Sequence, residues 1–253
     1  LSSVGIDPSG KIDLSSIKIL KSIEQPYRNH NGGHLLSIGG SHFLWGVGDG
    51  GSGFDPEGNG QNPSTQLGTI LQFGYVDGEV VPVLEEPAGD PFVLHHGLRN
   101  PWRFDLDDEG RLWISDVGQN CWEEVNLVTL EEATNLGWAE MEGDYLVDSS
   151  APCGSSVANE TIQEGFTAPV ATYSHSGGNC SITGGFWMDW GPIDLEGGYL
   201  YGDFCSGSMW ILKEDNGSWR ERYVGSSGGM IVGFGKGLDG ELLAFHWTGE
   251  IVH

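Results

Sequence analysis

A short unit recurs along this chain: a turn signal, a brief apolar strand and a glycine-rich exit. His42-Phe43-Leu44-Trp45 runs into GVGDGG, and Asp108-Glu109-Gly110-Arg111-Leu112-Trp113 runs into ISDVG. Leu195-Glu196-Gly197-Gly198-Tyr199-Leu200-Tyr201 runs into GDFCSG, and Leu238-Asp239-Gly240-Glu241-Leu242-Leu243 runs into AFHWTG. The aligned residues Leu44, Leu112, Leu200 and Leu243 lie 68, 88 and 43 positions apart. The shortest interval is close to the roughly 40–50 residues of a four-stranded propeller blade. The longer ones read as a blade plus inserted loops. Forty-two Gly and eleven Pro supply the turns, and ten Trp, ten Phe and seven Tyr supply bulky core. One segment, 127–139 (LVTLEEATNLGWA), predicts a helix stopped at Asn135-Leu136-Gly137. Elsewhere short strands and turns dominate, which favours an all-β propeller, with a β-sandwich as the alternative. No linker divides residues 1–253, so a single domain is expected. The chain opens at Leu1 in a stretch that reads as mid-domain, which predicts that an N-terminal portion is missing.

Charge narrows the partners. The formal net charge is -25, with 11 Lys and Arg against 36 Asp and Glu. Such a surface repels nucleic acid and anionic membranes. It suits a secreted protein, a halophile or a cation-binding surface. No apolar run approaches the roughly 18 residues of a membrane span. Cys121, Cys153, Cys180 and Cys205 form no CxxC pair, so zinc is disfavoured and two disulfides in an oxidising compartment are expected. Their pairing is open from spacing. Asn159, Asn179 and Asn216 begin glycosylation sequons.

Four constellations bear chemistry. Asn29-His30-Asn31-Gly32-Gly33-His34 and Gly48-Asp49-Gly50-Gly51 offer a His general base with a carboxylate to fix its tautomer. The plainer alternative is a hairpin turn and a surface His. Residues 55–62 (DPEGNGQN) interleave acids and Asn with Gly, as a calcium loop or a solvated acidic loop would. Leu98-Arg99-Asn100-Pro101 and Arg103 put positive charge on an acidic background, suited to a planar anion or to an internal salt bridge. Asp116-Val117-Gly118-Gln119-Asn120-Cys121-Trp122-Glu123-Glu124 joins a tight turn to the paired carboxylates Glu123 and Glu124, offering a hard cation both charged and carbonyl oxygens.

Together, six ordered segments resemble the glucose/sorbosone dehydrogenase family, soluble aldose dehydrogenases dependent on pyrroloquinoline quinone (PQQ). They are EQPYRNHNGG (24–33), GVGDGGSGFDPEGNGQN (46–62), GLRNPWRFDLDDEGRLWISDVGQNCWEEVNLV (97–128), NLGWAEMEGD (135–144), YSHSGGNCSITGGF (173–186) and YLYGDFCSGSMWIL (199–212). The resemblance implies a six-bladed β-propeller with its first one or two blades missing here. It implies that His30 is the general base, that Asp49 orients it, and that Arg99 and Asn100 contact PQQ. It implies a calcium held by the carbonyls of Gly118 and Gln119, and a second calcium at Glu124 with a carbonyl at or near Leu136. The implied reaction is oxidation of an aldose by hydride transfer to PQQ, with an external electron acceptor and a secreted or periplasmic location. Cys180–Cys205 and Cys121–Cys153 are the disulfides expected on this basis. The family's later blades add Lys and Arg contacts to PQQ; the matching strands here, YLYGDFCSGSMW and GGMIVGFGKGLDG, carry none at those places, and Lys236 is one turn off.

Two other functions stay open. The Cys180/Cys205 pattern also resembles hedgehog-interacting-protein-like propellers, which implies a non-catalytic secreted propeller binding protein or glycan, with calcium as a structural ion. A lactonase-type hydrolase, with calcium polarising an ester, is the third reading.

Overall fold

The computed structural model of the protein describes residues 1–150 and 165–253. Antiparallel sheets follow one another along the chain like propeller blades. An N-terminal hairpin, Ser2–Ile6 with Ile12–Ile19, precedes the first blade. That blade runs outward from Leu35–Ser37 through His42–Val47 to Thr69–Val76, which pairs with both Glu79–Pro82 and Val93–His96. The second blade is Pro101–Leu106, Leu112–Asp116, Trp122–Val128 and Ala171–Ser174. The third is Ile182–Trp187, Gly198–Asp203, Ser208–Asp215 and Ser218–Ser226. Ile231–Lys236, Leu242–His246 and Ile251–Val252 form a last sheet.

Each recurring unit in the sequence is the second strand of its sheet. Leu112–Asp116 and Gly198–Asp203 are buried along their whole length. A strand flanked by strands on both edges and by blades on both faces has no solvated side, so it reads as a continuous apolar run. Aromatic rings fill the space between blades. Trp113 of the second blade stacks on Tyr199 of the third at 5.1 Å and meets the edge of Trp219 at 4.6 Å. Tyr173 stacks on Trp210 at 5.0 Å. Each ring so buried stabilises the fold by about 2–3 kcal/mol.

The predicted helix over 127–139 does not form. Residues up to Val128 complete a ladder on Leu112–Asp116, with Leu127 opposite Trp113. The chain then turns, and Thr134–Asn135 pairs in parallel with His95–His96 of the first blade. Strand pairing and burial override the helix expected there. Among the described residues the one helical turn is a 3-10 segment, Ser176–Gly178. No helix there is long and apolar enough to cross a membrane.

The expected Cys180–Cys205 disulfide forms, with Cα atoms 5.6 Å apart, and ties the entrance of the third blade to its second strand's exit. Cys153 of the other expected pair, and Asn159, lie outside the described residues.

His95 sits fully buried beside the Ile70 strand position, and burial pushes its imidazole down to about 3. Burial holds His96 below its ordinary value as well. The folded chain therefore keeps His95 neutral where the unfolded chain would protonate it. Stability is complete above about pH 6.5 and is lost as pH falls from there toward 3, by at most roughly 5 kcal/mol from this residue. The expected outcome is a melting temperature that drops steadily between pH 7 and pH 4. In a His95→Leu variant that slope is shallower. An unchanged slope would remove His95 as the cause.

Candidate functional site

The entrances of the inner strands converge on one end of the propeller. A cleft of about 590 Å³ opens there, lined by Asn29, His30, Gly32, Arg99, Asn100, Trp102, Gly118 and Gln119 among others. Five of the expected site residues thus share one wall system: His30, Arg99, Asn100, Gly118 and Gln119. Asp49 stands directly behind His30.

His30 Nδ1 lies 2.7 Å from Asp49 Oδ1. The buried carboxylate of Asp49 also accepts the Gly51 N–H at 2.8 Å and the indole N–H of Trp138 at 2.8 Å. Its backbone N–H donates to the Arg99 carbonyl at 2.8 Å, and Asn59 Nδ2 donates to its carbonyl at 2.7 Å. A carboxylate so constrained directs Nδ1–H of the imidazole toward itself and leaves Nε2 as the basic nitrogen. His30 takes a left-handed φ of 56°, and its carbonyl lies where a side chain on Gly48 would go. Glycine at 48 is therefore required for His30 to sit against the strand end.

Asp116 is the second bracket. Its Oδ2 accepts the Arg99 N–H at 2.8 Å and its Oδ1 the Asn100 N–H at 2.6 Å. Burial pushes its carboxyl up to about 7, against the pull of those two N–H groups. The Arg99 side chain reaches back over the turn, donating to the Val117 carbonyl at 2.9 Å and to Gln119 Oε1 at 3.4 Å. Its guanidinium lies 5.5 Å from the Trp138 ring. Arg99 Nε is buried without a partner, in the field of Asp49, Asp116, Glu123 and Glu142. Asn100 Oδ1 accepts the Gly32 N–H at 3.2 Å, locking the Asn-Gly-Gly loop to the second blade.

Glu142 holds the turn between them. Its Oε1 accepts the N–H groups of Gln119, Asn120, Cys121 and Trp122 at 2.8, 2.9, 2.8 and 3.1 Å. In a planar trans peptide the carbonyl points opposite to the following N–H. Four N–H groups converging on Glu142 therefore turn the carbonyls of Gly118 and Gln119 away from it. Glycine is needed at 118, where a side chain would strike the Trp122 carbonyl.

The paired glutamates separate. Adjacent residues on a strand face opposite sides, so the Glu123 and Glu124 carboxylates part and find different partners. Glu123 accepts the N–H of Ile182 at 2.9 Å and of Gly118 at 3.2 Å and contacts His175 Nε2 at 2.6 Å. Glu124 accepts the Gly143 N–H at 2.5 Å and lies 3.3 Å from Asn126 Nδ2, across the ladder from Asp116. Burial and the charge of Asp116 push its carboxyl up to about 8. Asn126 Oδ1 beside it is buried with no partner. Leu136 is a core residue whose N–H donates to the His96 carbonyl. The acidic loop over 55–62 closes on itself: Asp55 accepts the N–H groups of Asn59 at 3.0 Å and Gly60 at 2.7 Å. Among the described residues, no three His, Cys, Asp or Glu side chains are grouped as a metal site.

Two positions that order the cleft had no assigned role in the sequence. Trp138 and Glu142 both fall in the matched segment 135–144, and that segment is the signal that pointed to them.

The chain matches the glucose / sorbosone dehydrogenase family over residues 11–243. It is 29% identical over 243 residues to the HIPL2 protein of Arabidopsis thaliana, covering 83% of this chain and 34% of that protein. To the HIPL1 protein of the same plant it is 28% identical over 240 residues, covering 82% and 33%. The chain thus spans about a third of the length of these curated relatives. Its fold is similar to that of the PQQ-bound aldose sugar dehydrogenase of Streptomyces coelicolor, with a TM-score of 0.66 at 22% identity over 97% of this chain and 65% of the other. It is also similar to a calcium structure of a family AA12 enzyme of Trichoderma reesei, with a TM-score of 0.71 at 14% identity over 99% and 74%.

Glu142→Ala strips four turn N–H groups of their acceptor, and about 2–3 kcal/mol of stability is expected to go with them. Glu142→Gln, which keeps the oxygen, is expected to lose less. Urea denaturation of the two variants checks the order.

Proposed function

Because the chain belongs to the glucose/sorbosone dehydrogenase family, we propose that it oxidises an aldose sugar to its lactone with PQQ and calcium. The single observation that carries this reading is the 2.7 Å contact of His30 with Asp49 at the cleft wall. His30 Nε2 takes the proton of the sugar hydroxyl. Asp49 orients the ring and stabilises its charged form, and Trp138 and Gly51 keep Asp49 in register. PQQ, when bound, supplies the hydride acceptor, and calcium withdraws charge from it.

The residues present fit such a group. Arg99 offers a buried, unpartnered Nε to one anionic oxygen, and Asn100 lines the same wall. The carbonyls of Gly118 and Gln119, turned away from Glu142, suit a calcium ion. Glu124 and the orphaned Asn126 Oδ1 offer oxygens to a second cation, with the Leu136 carbonyl as the further ligand expected from the family. A neighbouring pocket of about 250 Å³, walled by Trp102, Phe204 and Trp247, offers flat apolar faces to a planar ring. An external acceptor would reoxidise the cofactor. The disulfide and the family together favour a secreted or periplasmic site.

The expected outcome is aldose-dependent dye reduction that requires both PQQ and calcium. His30→Ala is expected to lower kcat by about 10²–10⁴-fold, the usual worth of a general base. Asp49→Asn lowers kcat with less effect on KM. No reduction by the loaded protein, with PQQ binding verified, would sink the reading. The alternative is a non-catalytic, calcium-stabilised propeller that binds protein or glycan. The similarity to HIPL proteins and the lack of cations at the third-blade entrance favour it. Under that reading calcium raises the melting temperature and PQQ leaves it unchanged.

A further inference from the structure

Arg103 is the residue the His30 cleft does not use. It lies on the inner strand of the second blade, one position beyond Trp102, and is half-buried. Its hydrogen bond runs from Nη1 to the carbonyl of its own neighbour, Trp102, at 3.2 Å. Among the described residues no carboxylate lies within 4 Å of it, although acids outnumber Lys and Arg by 36 to 11 in this chain. Arg111 and Arg220, by contrast, each have a carboxylate partner. Burial without a counter-charge is costly for a guanidinium, and burial depresses its pKa here.

The surroundings leave room for a counter-ion. Arg103 lines a cavity of about 170 Å³ with His34, Asp105, Gly185, Gly233 and Phe234. The cavity lies along the inner strands of the second, third and last sheets, each an edge strand of its sheet. It follows the His30 cleft along those strands toward their far ends. Close packing beside it requires glycine at 184, where a side chain would come within 2.7 Å of the Arg103 Cβ. At Gly233 a side chain would point to within 4.0 Å of Arg103 Nη2, and nothing else but Phe245 comes so close. His34 Nε2 is buried with no partner, while the ring packs edge-on against Phe104 at 4.5 Å. Asp105 is not the missing partner. Its carboxylate accepts the N–H groups of Leu106 at 2.9 Å and Trp187 at 3.0 Å.

We propose that this cavity is a small-anion site, in which the Arg103 guanidinium binds a halide or a carboxylate group beside the unpartnered Nε2 of His34. A planar guanidinium fork matches a carboxylate and also holds a halide. The cavity has room for a small ion together with its waters. The site stands apart from the His30–Asp49 pair, so it does not rest on the dehydrogenase reading.

The test is crystallography of the full chain, grown without chloride and soaked in bromide. The expected result is an anomalous bromide peak between Arg103 and His34 that disappears in Arg103→Met. In solution, the melting temperature is expected to rise in chloride over a bulky buffer sulfonate (MOPS) at equal ionic strength, and Arg103→Met abolishes the difference. Should that variant fail to fold, His34→Phe is expected to lower bromide occupancy at the same position. Formate is expected to displace the bromide. Bromide absent from the cavity, or present undiminished in Arg103→Met, overturns the site. Formate that fails to displace it overturns the carboxylate half of the assignment.

Discussion

Buried carboxylates gripping backbone N–H groups hold the cleft end of this propeller together. Asp49 takes Gly51 and the Trp138 indole, Asp116 takes Arg99 and Asn100, and Glu142 takes four consecutive N–H groups of the 119–122 turn. Glu123 joins the second blade to the third through Ile182. Loops between strands carry N–H groups that no ladder satisfies, and a buried loop must find acceptors for them. Charged acceptors give stronger and shorter bonds than neutral ones. The loops are therefore fixed, and the side chains on them are fixed too.

This device concentrates negative charge in a dry place. Asp116 and Glu124 face each other across one ladder and both have their carboxyl groups pushed upward by burial. Arg99 is the positive group in their midst, drawn toward Asp49, Asp116, Glu123 and Glu142. The arrangement suits bound cations near the turn and a single anionic contact at Arg99. The same shortage of positive charge makes the unpartnered Arg103 in its cavity stand out.

Much of the fold was legible in the sequence. Leu112, Leu200 and Leu243 recur because each sits in the second strand of a sheet, the position with least access to water. The His30, Asp49, Arg99 and Asn100 motifs were readable because each needs neighbouring glycines or a fixed dipeptide order. The segment 127–139 misled, since its composition and its Asn135-Leu136-Gly137 stop suit a helix, while Leu127 and Val128 are claimed by pairing with Leu112–Asp116 and Thr134–Asn135 by pairing with His95–His96. Glu123 and Glu124 misled differently. They read as a pair in the chain, yet a strand turns them to opposite faces.

By itself, the sequence determined the all-β character, the sheet repeat, the Cys180–Cys205 candidate and the loops that carry His30 and Arg99. These follow from local rules: glycine where φ is positive, alternation along strands, residue chemistry at short range. Only the tertiary structure decided which loops meet. Trp138 reaches Asp49 across 89 positions and Glu142 reaches the turn across 20 or more. Such contacts depend on the register of one blade against the next, and register is set by packing of whole sheets, which no local pattern encodes.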